Sequence, residues 1–135
     1  KRVKEPYNHI NWLHKAIKEP NFNLCQCLFG LHLINEDYQK EIAIVESEKT
    51  AITMSIYVPD YIWLATGSSG NFKYELLKPL KKRNCFAFPD NGEFTNWSNK
   101  AKELKNKGFK IEVSNILEQS KFKKGFDLAD YYCNN

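Results

Sequence analysis

The sequence predicts an α/β fold: a three-layer domain built on a four-stranded, mostly parallel sheet, preceded by an N-terminal helical or irregular arm. Three observations predict it. Ile42-Ala43-Ile44-Val45 is a short, unbroken, largely β-branched apolar run, the pattern of a strand buried on both faces. From Glu41 onward, strand-like and helix-like segments alternate, which favours parallel strands joined by crossover helices. Breakers stand between the segments: Pro59-Asp60, Thr66-Gly67-Ser68-Ser69-Gly70, Pro89-Asp90-Asn91-Gly92 and Gly108.

The elements follow in order. In the arm, residues 1–40, Ile10, Leu13, His14 and Ile17 fall at helical spacing over His9–Ile17, and Pro20 ends that helix. Asn21–Asn23 forms a turn, Cys27–Leu31 is apolar, and Asn35–Gln39 is polar and loop-like. The arm is expected to pack across the core domain, residues 41–135. After the first strand, Lys49–Val58 reads as a helix whose apolar face is Ala51, Ile52, Ser55 and Ile56, stopped by Pro59. Tyr61–Ala65 is a second strand and Phe72–Leu80 a second helix. Asn84–Phe88 is a third strand. Phe94–Lys107 is a third helix with Trp97, Ala101 and Leu104 on its core face, and Gly108 occupies the place of a left-handed cap. Phe109–Val113 alternates as a fourth strand, and Phe126–Tyr132 is a last short helix. The expected strand order is 2-1-3-4.

The chain has 135 residues with 27% charged side chains, which excludes wholesale disorder, and no apolar run of spanning length, which excludes a membrane-spanning helix. The first residue is Lys1 and the single methionine is Met54, so the sequence reads as a piece of a longer or processed protein. Net charge is +4, unevenly spread: residues 1–77 carry eight basic and nine acidic groups, residues 78–135 twelve and seven. A basic second half suits a polyanion such as nucleic acid, or simply a solvated lysine-rich surface. Cys25, Cys27, Cys85 and Cys133 lack the spacing of a zinc site. They read as free thiols in a reducing cytoplasm, with Cys85 a buried small hydrophobe.

Ligands of open α/β sheets bind beyond the carboxyl ends of the strands. The first strand ends in Glu46, the second in the Gly67/Gly70 loop, the third in Asp90, and the last connection holds Asp127 and Asp130. Clustered carboxylates raise one another's pKa, a cost that a divalent cation relieves. The same acids also suit helix N-caps, and Asp90-Asn91-Gly92 is a good turn in itself.

The order of these pieces resembles the Toprim domain, the Rossmann-like catalytic module of bacterial-type primases, type IA and II topoisomerases and related nucleases. Ile42–Ala51, a hydrophobic strand ending in Glu46 before a helix, is similar to its first motif. Ala65-Thr66-Gly67 resembles the glycine turn after strand two. Phe86-Ala87-Phe88-Pro89-Asp90 resembles the strand leading into the DxD motif. Lys124-Gly125-Phe126-Asp127-Leu128-Ala129-Asp130-Tyr131 resembles the end of primase-type versions. The likeness is strongest to primase-like and mobilization proteins of mobile elements.

The resemblance implies a DNA primase or mobilization-type domain that performs Mg²⁺-dependent (or Mn²⁺-dependent) nucleotidyl transfer in DNA replication. Glu46 would be the general acid/base, and Asp90, Asp127, Asp130 and, after a loop rearrangement, Glu93 the metal ligands. Lys49, Lys81, Lys82, Arg83, Lys100, Lys121, Lys123 and Lys124 are the expected nucleic-acid contacts, with Phe94, Trp97, Tyr131 and Tyr132 as stacking surfaces or, for Trp97, core. Two departures stand out. The second DxD aspartate falls on Gly92, and the acid expected four residues after Glu46 falls on Thr50. Fewer carboxylates mean weaker metal binding. The alternative is therefore a degenerate module that binds single-stranded DNA, or a relaxase or replication partner, without turnover. A response-regulator-like domain lacks the required later lysine.

Overall fold

The computed structural model describes residues 12–133. The elements run α1 (Leu13–Ala16), β1 (Ile42–Val45), α2 (Glu48–Tyr57), β2 (Ile62–Ala65), α3 (Tyr74–Leu77), β3 (Asn84–Ala87), α4 (Phe94–Asn106), β4 (Lys110–Val113) and α5 (Leu128–Cys133). Single 3₁₀ turns occupy Leu31–Asn35, Ser69–Asn71 and Lys78–Leu80. All three strand pairs are parallel and the order is β2-β1-β3-β4, as the alternation predicts.

Alternate residues of the central strand serve opposite faces. Ile42 and Ile44 join Leu28, Leu64, Phe72, Leu77, Trp97 and Leu104 on one side. Ala43 and Val45 join Ala51, Met54, Trp63, Leu117 and Leu128 on the other. Helices α3 and α4 therefore cover one face, and α2 and α5 the other. The core helix α4 buries Trp97, Ala101 and Leu104 as expected, with Trp97 stacked on Phe72 at 4.2 Å between ring centres. Its end is a Schellman motif: Phe109 N–H reaches the Leu104 carbonyl, Gly108 N–H reaches that of Lys105, and Gly108 takes φ +87°.

Several boundaries differ from the sequence expectation. The region 72–80 is not one helix: α3 is a single turn, continued by the 3₁₀ turn at Lys78–Leu80, where Pro79 cannot donate to an α-helical ladder. Helix α2 buries Thr50, Ala51 and Met54, while Ile52 and Ile56 face solvent. Apolar residues surround this helix, so periodicity did not choose its buried side. The helix expected at His9–Ile17 is a single turn in its described part, and His9–Asn11 lie outside the described residues. Trp12–Cys27 stay largely exposed, whereas Leu28 is buried and Leu31, Leu33 and Ile34 pack on the core. Phe29 pairs antiparallel with Ala65 at the edge of β2. Among the described residues no helix is long and apolar enough to cross a membrane.

Replacing Trp97 by Ala should cost about 3–5 kcal/mol in urea unfolding, because a fully buried stacked indole leaves a cavity. Ile56→Ala should stay within about 0.5 kcal/mol, as expected of an exposed site. Equal losses would reverse the assignment of the core.

Candidate functional site

The sheet's carboxyl edge collects the acids. Glu46 follows β1 and Asp90 lies in the turn three residues past neighbouring β3, close enough for the two charges to act on each other. The Glu46 carbonyl accepts the Gly67 N–H at 2.8 Å, which ties the glycine loop to β1. Within that loop, Thr66 Oγ1 donates to the Ser68 carbonyl and Asn71 Nδ2 to the Thr66 carbonyl. Lys100 Nζ, from α4, donates to the Ser69 carbonyl at 3.2 Å. Gly70 has open space around it.

The second acidic group is built by helix capping. Asp127 precedes α5, and its Oδ1 accepts the Asp130 N–H at 2.8 Å. Asp130 Oδ2 accepts the Asp127 N–H at 3.3 Å in return. This is a reciprocal capping box with aspartate at both positions. Lys49, in the first turn of α2, sets its ammonium 2.8 Å from Asp127 Oδ2 and 3.5 Å from Asp130 Oδ1. Ser47 caps α2 by accepting the Thr50 N–H, and the Ser47 and Thr50 hydroxyls lie 2.8 Å apart. Thr50 is buried and also hydrogen-bonds the Asp127 carboxylate.

The electrostatics divide the acids into two sets. Burial pushes the Glu46 carboxyl above its ordinary range; a Ser69 N–H bond opposes this and the Glu93 charge adds to it. Asp90 is pushed up to about 7, first by burial, then by Glu46, Asp127 and Asp130, with Lys49 pulling the other way. Asp127 moves down: burial would raise it, but the Lys49 ammonium, the Asp130 N–H and the Thr50 hydroxyl outweigh that. Its charge is satisfied within the protein, and that of Asp90 is not.

Other expected residues are placed as follows. Glu93 sits at the start of α4, where its Oε2 accepts from Asn96 Nδ2 at 2.8 Å. Gly92 takes φ +95°, and a side chain there would meet the Lys124 stem at 3.4 Å. The Gly92 N–H donates to Glu118 Oε2 at 3.1 Å, so Glu118 braces the turn after Asp90. Asn91 Nδ2 bonds the Phe122 carbonyl at 2.8 Å and knits the same turn to the connector after β4. Lys121, Lys123 and Lys124 are exposed on that connector, with Lys121 over the Phe122 ring.

Lys81 and Lys82 precede β3 and stand at the opposite, amino edge; the Lys81 stem lies against Gly108. Arg83 is spent on structure there. Its guanidinium donates to the carbonyls of Ile34, Asp37 and Lys40 at 2.7, 2.8 and 2.6 Å. Trp97 is core, Phe94 and Tyr131 are half-buried, and Tyr132 is exposed. Sequence reasoning missed the Lys49 bridge, the Ser69 N–H at Glu46 and the Glu118 brace. For Lys49 alone a signal existed: a cation in a helix first turn opposes the dipole and needs a local anion. Among the described residues no group of three or more His, Cys, Asp or Glu side chains converges to hold a metal.

Fold and edge together define a three-layer parallel α/β domain with an acidic centre at the carboxyl ends of its two central strands. A family model described as "Domain of unknown function (DUF6371)" matches residues 1–91, and the chain belongs to that family. The matched stretch runs from the arm through β3 to Asp90 and Asn91. No curated protein and no solved structure matches the chain.

Asp90 gives a pH prediction. Its carboxyl is raised from 3.8 to about 7, so the folded state retains a proton that the unfolded chain loses. The associated stability is complete below about pH 4 and is lost as pH climbs toward 7. Discounted for solvent screening, the loss is about 2 kcal/mol. Asp90→Asn should flatten urea-unfolding stability between pH 4 and 8 and exceed wild type at pH 8. Asp127 acts in a separate window: its depressed pKa gives stability above about pH 4, lost in more acid solution.

Proposed function

We propose that this chain is a Toprim-like domain that acts on nucleic acid by Mg²⁺-dependent phosphoryl transfer, of the nucleotidyl-transfer kind found in primase-like and mobilization proteins of mobile elements. The carrying observation is the pair Glu46 and Asp90, set on adjacent strand ends with both carboxyls raised and Asp90 at about 7. The donor chemistry fits one hard divalent ion held by two carboxylates and completed by water, the way Mg²⁺ is commonly bound. Mg²⁺, or Mn²⁺ in its place, would neutralise charge on the phosphoryl oxygens.

The chain's own groups do the rest. Glu46, half-buried and with its carboxyl raised by burial, is suited to take a proton from an attacking hydroxyl. The Ser69 N–H and the Lys100-anchored loop hold it in place. Lys121, Lys123 and Lys124 offer charge to a phosphate backbone beside the centre. The partner is nucleic acid, DNA in the first instance, and the free thiols at Cys25, Cys27, Cys85 and Cys133 suit a cytoplasmic setting.

A second reading is a degenerate module that binds single-stranded DNA, or a relaxase or replication partner, without turnover. What favours it is Gly92 at φ +95°, a backbone conformation that an aspartate would adopt only with strain, with Thr50 buried at the other missing acid.

Calorimetric titration of Mg²⁺ and Mn²⁺ tests the first reading. Wild type should bind, and Glu46→Gln and Asp90→Asn should each weaken binding by tenfold or more. No binding at millimolar metal, with salt-dependent retention of a single-stranded oligonucleotide, would favour the second.

A further inference from the structure

We propose that the N-terminal arm is a docking hook for a second copy of this chain, received in the groove between α2 and the segment 29–40. Two copies would exchange hooks reciprocally in a two-fold dimer. The inference is independent of the metal-dependent reading above. The arm folds on itself rather than on the body. Its helical turn, Leu13–Ala16, is followed by a reversal at Lys18 and Asn21, both at positive φ. The chain then returns so that Phe22 stacks on His14 at 4.2 Å between ring centres. The Glu19 N–H closes the reversal on the His14 carbonyl at 2.9 Å. Leu13 and Ile17, at i and i+4, are left 74% and 60% exposed.

The groove is the matching surface. It is a cavity of about 490 Å³ whose apolar walls include Phe29, Leu33, Ile52, Tyr61 and Trp63. Ile52 and, one turn further along α2, Ile56 are 54% and 76% exposed. Single exposed apolar residues are ordinary, but an i, i+4 pair on each side of a prospective contact, with a cavity between, is the pattern of a helical segment laid in a groove. Charge is complementary. The hook carries Lys15 and Lys18 against Glu19, whereas Glu36 and Asp37 line the groove and the Lys40 ammonium there is held by the Pro59 carbonyl at 2.9 Å. The anchor of the arm favours a second copy over the arm's own chain. Leu28 is buried, and Phe29, which lines the groove, exchanges two backbone hydrogen bonds with Ala65. The hook of the same chain therefore reaches the groove only by doubling back through Cys25–Cys27, while a second copy's hook enters it as folded. A hook and a groove on one chain satisfy each other twice about a two-fold axis, which closes the assembly.

Sedimentation equilibrium over a dilution series tests this. Wild type should dimerise, more weakly as salt is raised. Leu13→Asp in the hook and Ile52→Asp in the groove should each weaken the dimer by at least about tenfold. Both positions are exposed, circular dichroism checks that each variant folds, and Ile17→Asp and Ile56→Asp form a second pair. Mixing the two monomeric variants separates exchange between copies from closure within one. A Leu13→Asp chain keeps its groove and an Ile52→Asp chain keeps its hook, so the mixture should contain heterodimers where neither variant dimerises alone. A wild type still monomeric at about 0.5 mM would overturn the inference, whether its groove is open or filled by its own arm. So would a dimer that both variants leave unchanged, or a mixture no more associated than its parts.

Discussion

The ion pair between Lys49 and the Asp127/Asp130 capping box is the constraint on which the carboxyl edge depends. Parallel strands deliver their ends to one side of the sheet, and here those ends and the loop before α5 bring acids together. Without an opposing charge the edge would be penalised by burial and by repulsion at once. One ammonium meets two of the four carboxylates and ties α2 to α5 across the face they share. With the lysine side chain 61% exposed, a pair of this kind adds little net stability. Its effect is to fix where the uncompensated charge lies, which is at Glu46 and Asp90.

The rest of the structure supports that edge from behind. β1 is buried along its whole length, so Glu46 is the first residue of that segment to reach water. Its place is set by strand register rather than by loop preference. Asp90 is less constrained by the strand, because it lies beyond β3 in a turn. That turn is held by bonds from Asn91 and by Glu118 on the Gly92 N–H. Arg83 acts at the far edge, gathering three carbonyls of the segment Ile34–Lys40 against the start of β3.

Most of the fold was legible because its signals were local and strong. The β-branched run at Ile42–Val45 and the Gly108 cap each allow one conformation at low cost, and Trp97, Ala101 and Leu104 mark one face. The buried face of α2 was not legible. Ile52, Ile56 and Met54 are apolar on different sides, and only the sheet and α5 decide which side is covered. At the site, the acids Glu46, Asp90, Asp127 and Asp130 were visible as residues at strand ends. Their unequal status was not, because it depends on Lys49, which is distant in sequence from Asp127 and near it only after α2 and α5 share a face. Arg83 and Glu118 were illegible for the same reason: their partners are backbone groups, which carry no sequence signature.

On the proposed function, the division of charge also bears on how a nucleic-acid strand approaches. A phosphate backbone is repelled by bare carboxylates, so it meets this edge favourably only where positive charge stands between. Lys121, Lys123 and Lys124 flank the Asp90 turn from the connector, and Lys100 stands by the glycine loop beyond Glu46. Lys81 and Lys82, at the amino edge, cannot serve the same contact. A strand guided by the first set would pass over Glu46 and Asp90, which form no ion pair among the described residues, and not over Asp127, whose charge is already met. The fixed ammonium and the mobile divalent ion would then have separate tasks. Lys49 would keep α5 and its capping box in place whatever is bound, and an exchangeable ion would arrive where substrate and the raised carboxylates coincide.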